Sequence, residues 1–247
     1  VALLQCEFIS ESLEISASMN VILPQGKLER PFQTLYLLHG LSDNHTIWCR
    51  RTSIERYADQ HGIAVVMPAV NRSFYADMSH GAKYWTFVSE ELPKIARSFF
   101  PLSSEREDNF VAGLSMGGYG ALKLGLSFPE RYAAAASLSG AVDVNRLATE
   151  GFGGDISNVF SDPAAVKGSS ADLFALAERA ADRQDIPMLY QYCGTEDFLY
   201  DDNVRFRDHL RKLQINATHV EEPGTHEWGC WDRQIERVLQ WLPLKRD

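Results

Sequence analysis

Six short runs recur along this chain, most of them apolar and each stopped by glycine, serine or proline: TLYLLHG (34–40), IAVVMP (63–68), NFVAGLS (109–115), YAAAASLSG (132–140), PMLYQYCG (187–194) and ATHVEEPG (217–224). Runs of this length suit strands buried on both faces, and helical stretches lie between them. One is SIERYADQHG, which Ser53 can cap and Gly62 can end. A second runs through TFVSEELPKIARSFF, where Pro93 implies a kink or a late start. MGGYGALKLGLSFPE reads as a helix ending before Pro129, and DNVRFRDHLRKLQ as another. WDRQIERVLQWL closes the chain with apolar residues at Ile235, Val238, Leu239 and Leu242. Ahead of this alternation, the first segment, with LEISASMNVILP, reads as strands of a leading hairpin or meander. The pattern predicts an α/β fold, a mostly parallel sheet flanked by helices, as a single domain over 1–247. The rhythm breaks between 141 and 182, where GFGGDISN and SDPAAVKGSS precede a helix around ADLFALAERAADR. An irregular insertion of this length is read either as a lid over a pocket or as a surface excursion.

With hydrophobic residues at 45% and charged residues at 23% of 247, a sizeable core can form. The net charge is −9 and no Lys/Arg run occurs, which argues against nucleic acid or an anionic membrane surface as a partner. No apolar run reaches the roughly 18 residues of a membrane span. VALLQCEFISESLEIS has no basic region and is interrupted by acids, so it does not read as a signal peptide as it stands. Cys6, Cys49, Cys193 and Cys230 are scattered and form no CxxC pair. Reduced thiols, no metal framework and a cytoplasmic location are therefore expected.

GLSMGGYG (113–120) carries the chemistry. GxSxG alone is a weak signal. Here it follows a predicted strand and opens a predicted helix, the setting of a nucleophile elbow, with Gly113 and Gly117 small enough for the crowded turn. Ser115 then needs a base, and the base needs an orienting acid. Both should stand after later strands, acid first, because the carboxyl ends of parallel strands face one site. Asp197 in GTEDFLYDDN and His226 in GTHEW meet that order. Glu196 is the nearest rival acid, and Asp201 and Asp202 are read as caps of the following helix. Among the other histidines only His39 ends a strand in the right region, and it is read as supporting its loop. The oxyanion donors expected are the N–H of Met116, at a helix N-terminus, and that of Leu41, after Gly40 in LLHGLSDNHTIW.

LLHGLSDNHTIW, EELPKIARSFFP, FVAGLSMGGYGALKLGLSFPERYAAAASLSG, CGTEDFLYDDN and GTHEWGCWD occur in an order and spacing that resemble the esterase D / putative esterase family of α/β-hydrolases, and within it the bacterial tributyrin esterases. The resemblance runs from about Thr34 to Leu242. It implies an α/β-hydrolase fold, short-chain acyl esters (acetyl to butyryl) as substrates and no cofactor. It also implies Ser115 as nucleophile, Asp197 rather than Glu196 as acid, His226 as base, and Leu41 and Met116 as oxyanion donors. Several relatives form homo-oligomers. The related S-formylglutathione hydrolases carry a serine before the oxyanion-loop glycine and a Thr-Cys pair shortly after it. This chain has His39, and then Ser42-Asp43 after Leu41, which favours simple carboxylesters over thioesters. A carbohydrate-linked or feruloyl ester is a further alternative. An acyltransferase, or a non-catalytic binding protein on the same fold, is a lesser reading.

Trp48, Trp228, Tyr75 and Trp85 are candidates for the wall of a small acyl pocket, with core positions the alternative for each. Asp77 and Tyr84 are weaker candidates for the same wall. Cys193 and Cys230 are read as buried, inert thiols.

Overall fold

The computed structural model describes residues 1–25, 31–150 and 156–245. Eight strands form one sheet: β1 Ala2–Ser10, β2 Ile15–Leu23, β3 Thr34–Leu38, β4 Ala64–Pro68, β5 Asn109–Leu114, β6 Ala134–Leu138, β7 Met188–Gly194 and β8 Ala217–Glu222. Their order is β1-β2-β4-β3-β5-β6-β7-β8. β1 and β2 form the expected hairpin and join β4 antiparallel; β4-β3-β5-β6-β7-β8 is parallel throughout.

Every residue of β3, β4, β5 and β6 is buried, which explains their continuous apolar runs. The two-residue period sorts them to opposite faces. Tyr36 and Leu38 of β3 and Val111 of β5 pack on one side, with the helix Met116–Ser127 and the Phe206 side chain. Leu35, Leu37, Phe110 and Ala112 pack on the other, with Ile54, Tyr57 and Ala58 of the helix Ile54–His61 and Ile235, Val238 and Leu239 of the helix Trp228–Trp241. The parallel strands end together on one edge, where the loops after β3, β5, β7 and β8 meet. Among the described residues, no helix is long and apolar enough to cross a membrane.

The local readings hold with instructive exceptions. Gly62 ends its helix in the left-handed region, at φ 63°. Ser53 does not cap that helix with its side chain. Its N–H is instead taken by Asp232 Oδ1 at 3.0 Å, and that oxygen also accepts from the Tyr57 hydroxyl. The helix start is thus held both from the closing helix and locally, since the Ile54 N–H donates to the Thr52 hydroxyl at 3.2 Å. Pro93 gives a late start: the helix Leu92–Phe99 follows a π turn over Phe87–Glu91. Proline has no N–H for the Ser89 carbonyl, and the Arg131 guanidinium donates to that carbonyl at 3.0 Å. Asp202 is not an exposed cap. It lies buried and forms ion pairs with Arg146 and Arg205. The closing helix begins at Trp228, earlier than its sequence pattern indicated.

Between 141 and 182 the described residues are mostly helical rather than irregular: Val144–Glu150, Ile156–Val159, a 3₁₀ turn at Pro163–Ala165 and Leu173–Ala180. Residues 151–155, most of GFGGDISN, lie outside the described residues. The insertion packs through buried Leu147, Ile156, Val159 and Leu173. It is tied to the helix Met116–Ser127 by the Tyr119 hydroxyl, which donates to the Ala171 carbonyl at 2.8 Å.

Candidate active site

Ser115 sits at the one-residue junction between β5 and the helix that Met116 begins, with φ 52° and ψ −118°. A non-glycine residue in such a region costs on the order of 1–3 kcal/mol and persists only where its surroundings over-determine it. They do so here. The Ser115 N–H donates to the Leu138 carbonyl at 2.9 Å, and its carbonyl accepts from Ala141 at 3.0 Å and Tyr119 at 3.1 Å. The adjoining glycines make room. A Cβ on Gly113 would meet the Gly117 carbonyl, and one on Gly117 would come within 2.5 Å of the Leu38 oxygen and 2.7 Å of the His39 oxygen. The turn therefore presses the helix N-terminus against the end of β3. Gly118 gives clearance toward the sheet at Ser137, whereas Gly120 gives it to the ring of Tyr75.

The β8 loop brings His226 over this serine. His226 Nε2 lies 3.1 Å from Ser115 Oγ. Its Nδ1 lies 2.9 and 3.1 Å from the two carboxylate oxygens of Asp197, in the loop after β7. The His226 side chain is 19% exposed and that of Asp197 is 0%. One Asp197 oxygen also accepts from the Leu199 N–H at 2.9 Å, so the carboxylate is held from both sides. An imidazole so placed donates through Nδ1 and presents the Nε2 lone pair to the hydroxyl. Glu196, one residue earlier, points elsewhere. It accepts from the Gly224 N–H and the Thr195 hydroxyl, which ties the histidine loop to the end of β7. These backbone and hydroxyl donors hold its carboxyl below the usual range.

The loop after β3 lies alongside. A Cβ built on Gly40 would stand 3.6 Å from the Ser115 Cβ, which puts Leu41 and Met116 on neighbouring backbone turns at the serine. Three buried side chains brace this loop. The Trp48 indole N–H donates to the Leu38 carbonyl at 3.1 Å, and the Tyr75 hydroxyl donates to the His39 carbonyl at 2.9 Å. His39 Nδ1 donates to the Gly40 carbonyl at 2.7 Å, and its Nε2 accepts from the Val70 N–H at 3.0 Å. Burial pushes the His39 pKa down to about 4. The expectation that His39 supports its loop is what the contacts display.

The pocket aromatics divide. Trp48 and Tyr75 are fully buried, so they stand behind the loop after β3 and offer no accessible wall. Trp85 stacks on Phe128 at 5.7 Å and lies under the Lys123 ammonium at 3.9 Å, two turns along the helix from Ser115. It belongs to the packing beneath the site. Trp228 remains half-buried beside the site, edge-on to Trp48 and Trp231. Asp77 caps Thr86 through its N–H and hydroxyl, and the Tyr84 hydroxyl meets Asn71. Cys193 and Cys230 are buried free thiols, and burial pushes Cys193 upward.

Four residues at or beneath the site escaped the sequence pattern. Trp231 packs edge-on against the His226 ring at 4.8 Å, and Phe198, 60% exposed, covers it at 4.6 Å. Ser139, buried with φ 49°, accepts from the Trp231 indole N–H at 3.1 Å. Lys123, buried under the site, donates to the Tyr75 carbonyl at 2.9 Å. A second strained serine at the end of β6, in YAAAASLSG, was the only hint available; the others depend on contacts between distant segments.

The sheet order, the strand–serine–helix elbow and the hydrogen-bonded Ser–His–Asp line define an α/β-hydrolase of the serine-hydrolase class. Within that class, the chain matches the Putative esterase family over residues 10–242 and belongs to it. It is a carboxylic ester hydrolase. It is 32% identical to an acetyl esterase of Caldicellulosiruptor saccharolyticus across the whole of both chains. Among solved structures it resembles the fluorophosphonate-binding serine hydrolase F of Staphylococcus aureus, with a TM-score of 0.92, 36% identity and 98% of each chain covered. An S-formylglutathione hydrolase from Staphylococcus aureus gives a TM-score of 0.89 at 36% identity, again with 98% of each chain covered.

Proposed function

We propose that the chain, acting as one domain, hydrolyses short-chain acyl esters, acetyl to butyryl, through Ser115, His226 and Asp197. The observation that carries this reading is the 3.1 Å approach of His226 Nε2 to Ser115 Oγ, with Asp197 on the far side of the ring. His226 takes the serine proton as Oγ attacks the ester carbonyl. Asp197 stabilises the imidazolium and fixes its tautomer. The N–H groups of Leu41 and Met116 receive the developing oxyanion, worth a few kcal/mol in the transition state. The alcohol leaves with the proton from His226, and water, activated by the same imidazole, releases the acid. The likeness to an acetyl esterase supports a small acyl group. The four free cysteines suit a reducing, cytoplasmic setting.

The test is turnover across p-nitrophenyl esters from acetate to octanoate. A maximum at acetyl to butyryl is expected, with Ser115→Ala slower by at least about a thousandfold. Turnover rising steadily to octanoate refutes the small-acyl reading, and near-normal turnover by Ser115→Ala refutes the nucleophile. The likeness to an S-formylglutathione hydrolase favours a thioester as the second reading. S-formylglutathione in the same series separates the two.

A further inference from the structure

Asp43 has no part in the mechanism above, yet it stands at the mouth of the site. The chain turns tightly after β3, and the Asp43 N–H donates to the Gly40 carbonyl at 3.2 Å. The Asp43 carboxylate folds back over the same turn toward Gly40. A Cβ built on Gly40 would lie 3.0 Å from Asp43 Oδ2 and 3.6 Å from the Ser115 Cβ. Together these spacings hold the carboxylate oxygen within about 7 Å of the Ser115 Cβ, inside the range where a charge acts on the reacting carbonyl. The carboxylate is half-buried, and desolvation raises its pKa. The cation acting on it is Arg51, which is exposed and screened by water. The turn itself does not need the charge. An asparagine, close in size and shape, leaves the Asp43 N–H bond to the Gly40 carbonyl in place. What the carboxylate adds is a fixed negative charge beside the place where acyl and leaving groups must lie.

We infer that Asp43 is a specificity-determining residue: its carboxylate disfavours esters and thioesters that carry a negative charge near the scissile carbonyl, and so restricts the site to neutral short-chain esters. This rests on the esterase reading above. A substrate anion brought beside the half-buried Asp43 meets like charge, and that repulsion adds to the barrier. A neutral ester of equal length escapes it. A glutathione thioester, with two carboxylates against one ammonium, does not.

The experiment compares methyl butyrate with monomethyl succinate, which are similar in length and differ in a terminal carboxylate. Hydrolysis is followed by pH-stat at neutral pH for the wild type and Asp43→Asn. In the wild type the neutral ester is expected to be preferred, and low salt should widen the gap. In Asp43→Asn, which keeps the backbone bond of the turn and removes only the charge, the ratio of kcat/KM values should fall about tenfold at low ionic strength. An unchanged ratio in Asp43→Asn, or a wild-type ratio insensitive to salt between 10 and 500 mM, roughly the span over which a charge effect is screened, overturns the inference. If the wild type hydrolyses neither ester, the short-chain esterase reading fails and the inference falls with it. Turnover of methyl butyrate with an unchanged ratio overturns the inference alone.

Discussion

Lowering the pH from neutrality to 4 should cost this fold about 3 kcal/mol through His39 alone. The imidazole is 1% exposed, and both ring nitrogens are committed. Nδ1–H donates to the Gly40 carbonyl, and Nε2 must keep its lone pair toward the Val70 N–H. A second proton on the ring would confront that N–H and place a charge in the core. The pKa is accordingly pushed from 6.5 down to about 4. Between those values the unfolded chain binds a proton that the native chain refuses, so stability falls as pH falls. The contribution is intact above pH 6.5 and spent by about pH 4. At about 1.36 kcal/mol per unit, the window amounts to about 3 kcal/mol. Urea unfolding of the wild type and His39→Gln across this window measures it, since titrations shared by both proteins cancel in the difference. The wild-type curve should fall more steeply with acid. Equal pH slopes refute the reasoning, as does an NMR titration that places the His39 pKa near 6.5.

Lys123 gives a slope of the same sign in a higher pH window. Burial lowers its pKa to about 7, so above that pH the unfolded chain binds the extra proton and stability rises with pH, by up to about 1.4 kcal/mol per unit. Lys123→Met should flatten that rise between about pH 7 and 9 in urea titrations, and an unaltered slope counts against it. Gly117→Ala would place a methyl 2.5 Å from the Leu38 carbonyl oxygen, which cannot yield without moving the loop after β3. A loss of about a hundredfold in kcat is expected with the circular dichroism spectrum retained, and wild-type turnover contradicts it. Asp202→Ala removes the buried partner of Arg146 and Arg205 and should lower stability by about 1–3 kcal/mol, read as a drop of several degrees in Tm. No change in Tm would show that the pairs are too solvated to matter.

The parallel architecture was legible because its causes are local. Strands buried on both faces must be apolar throughout, as 34–38 and 109–114 are, and the turns that end them require glycine, serine or proline. Ser115 stood out because a small-residue elbow between strand and helix is a steric necessity written into three consecutive alternate positions. Asp197 and His226 followed because parallel strands share one functional edge. Side-chain roles within that edge were less visible. Trp48, on the short helix Ile47–Arg51, and Tyr75, in a loop, both follow strands that end at the serine, but nothing in such short segments says whether an aromatic ring turns toward solvent or beneath the backbone.

By itself, then, the chain's pattern determined the sheet, the elbow and the order of Ser115, Asp197 and His226, since each rests on periodicity or on a turn a few residues long. Tertiary structure decided what depends on segments meeting from afar. Glu196 and Asp197 are adjacent and chemically alike, yet one holds Gly224 and the other His226, because the β7 loop projects neighbouring side chains to opposite sides. Trp231 against His226, Lys123 under Tyr75, and Asp43 folded back on Gly40 beside Ser115 arise in the same way. Burial and charge proximity are set by what packs against a residue, and a one-dimensional pattern does not contain that information.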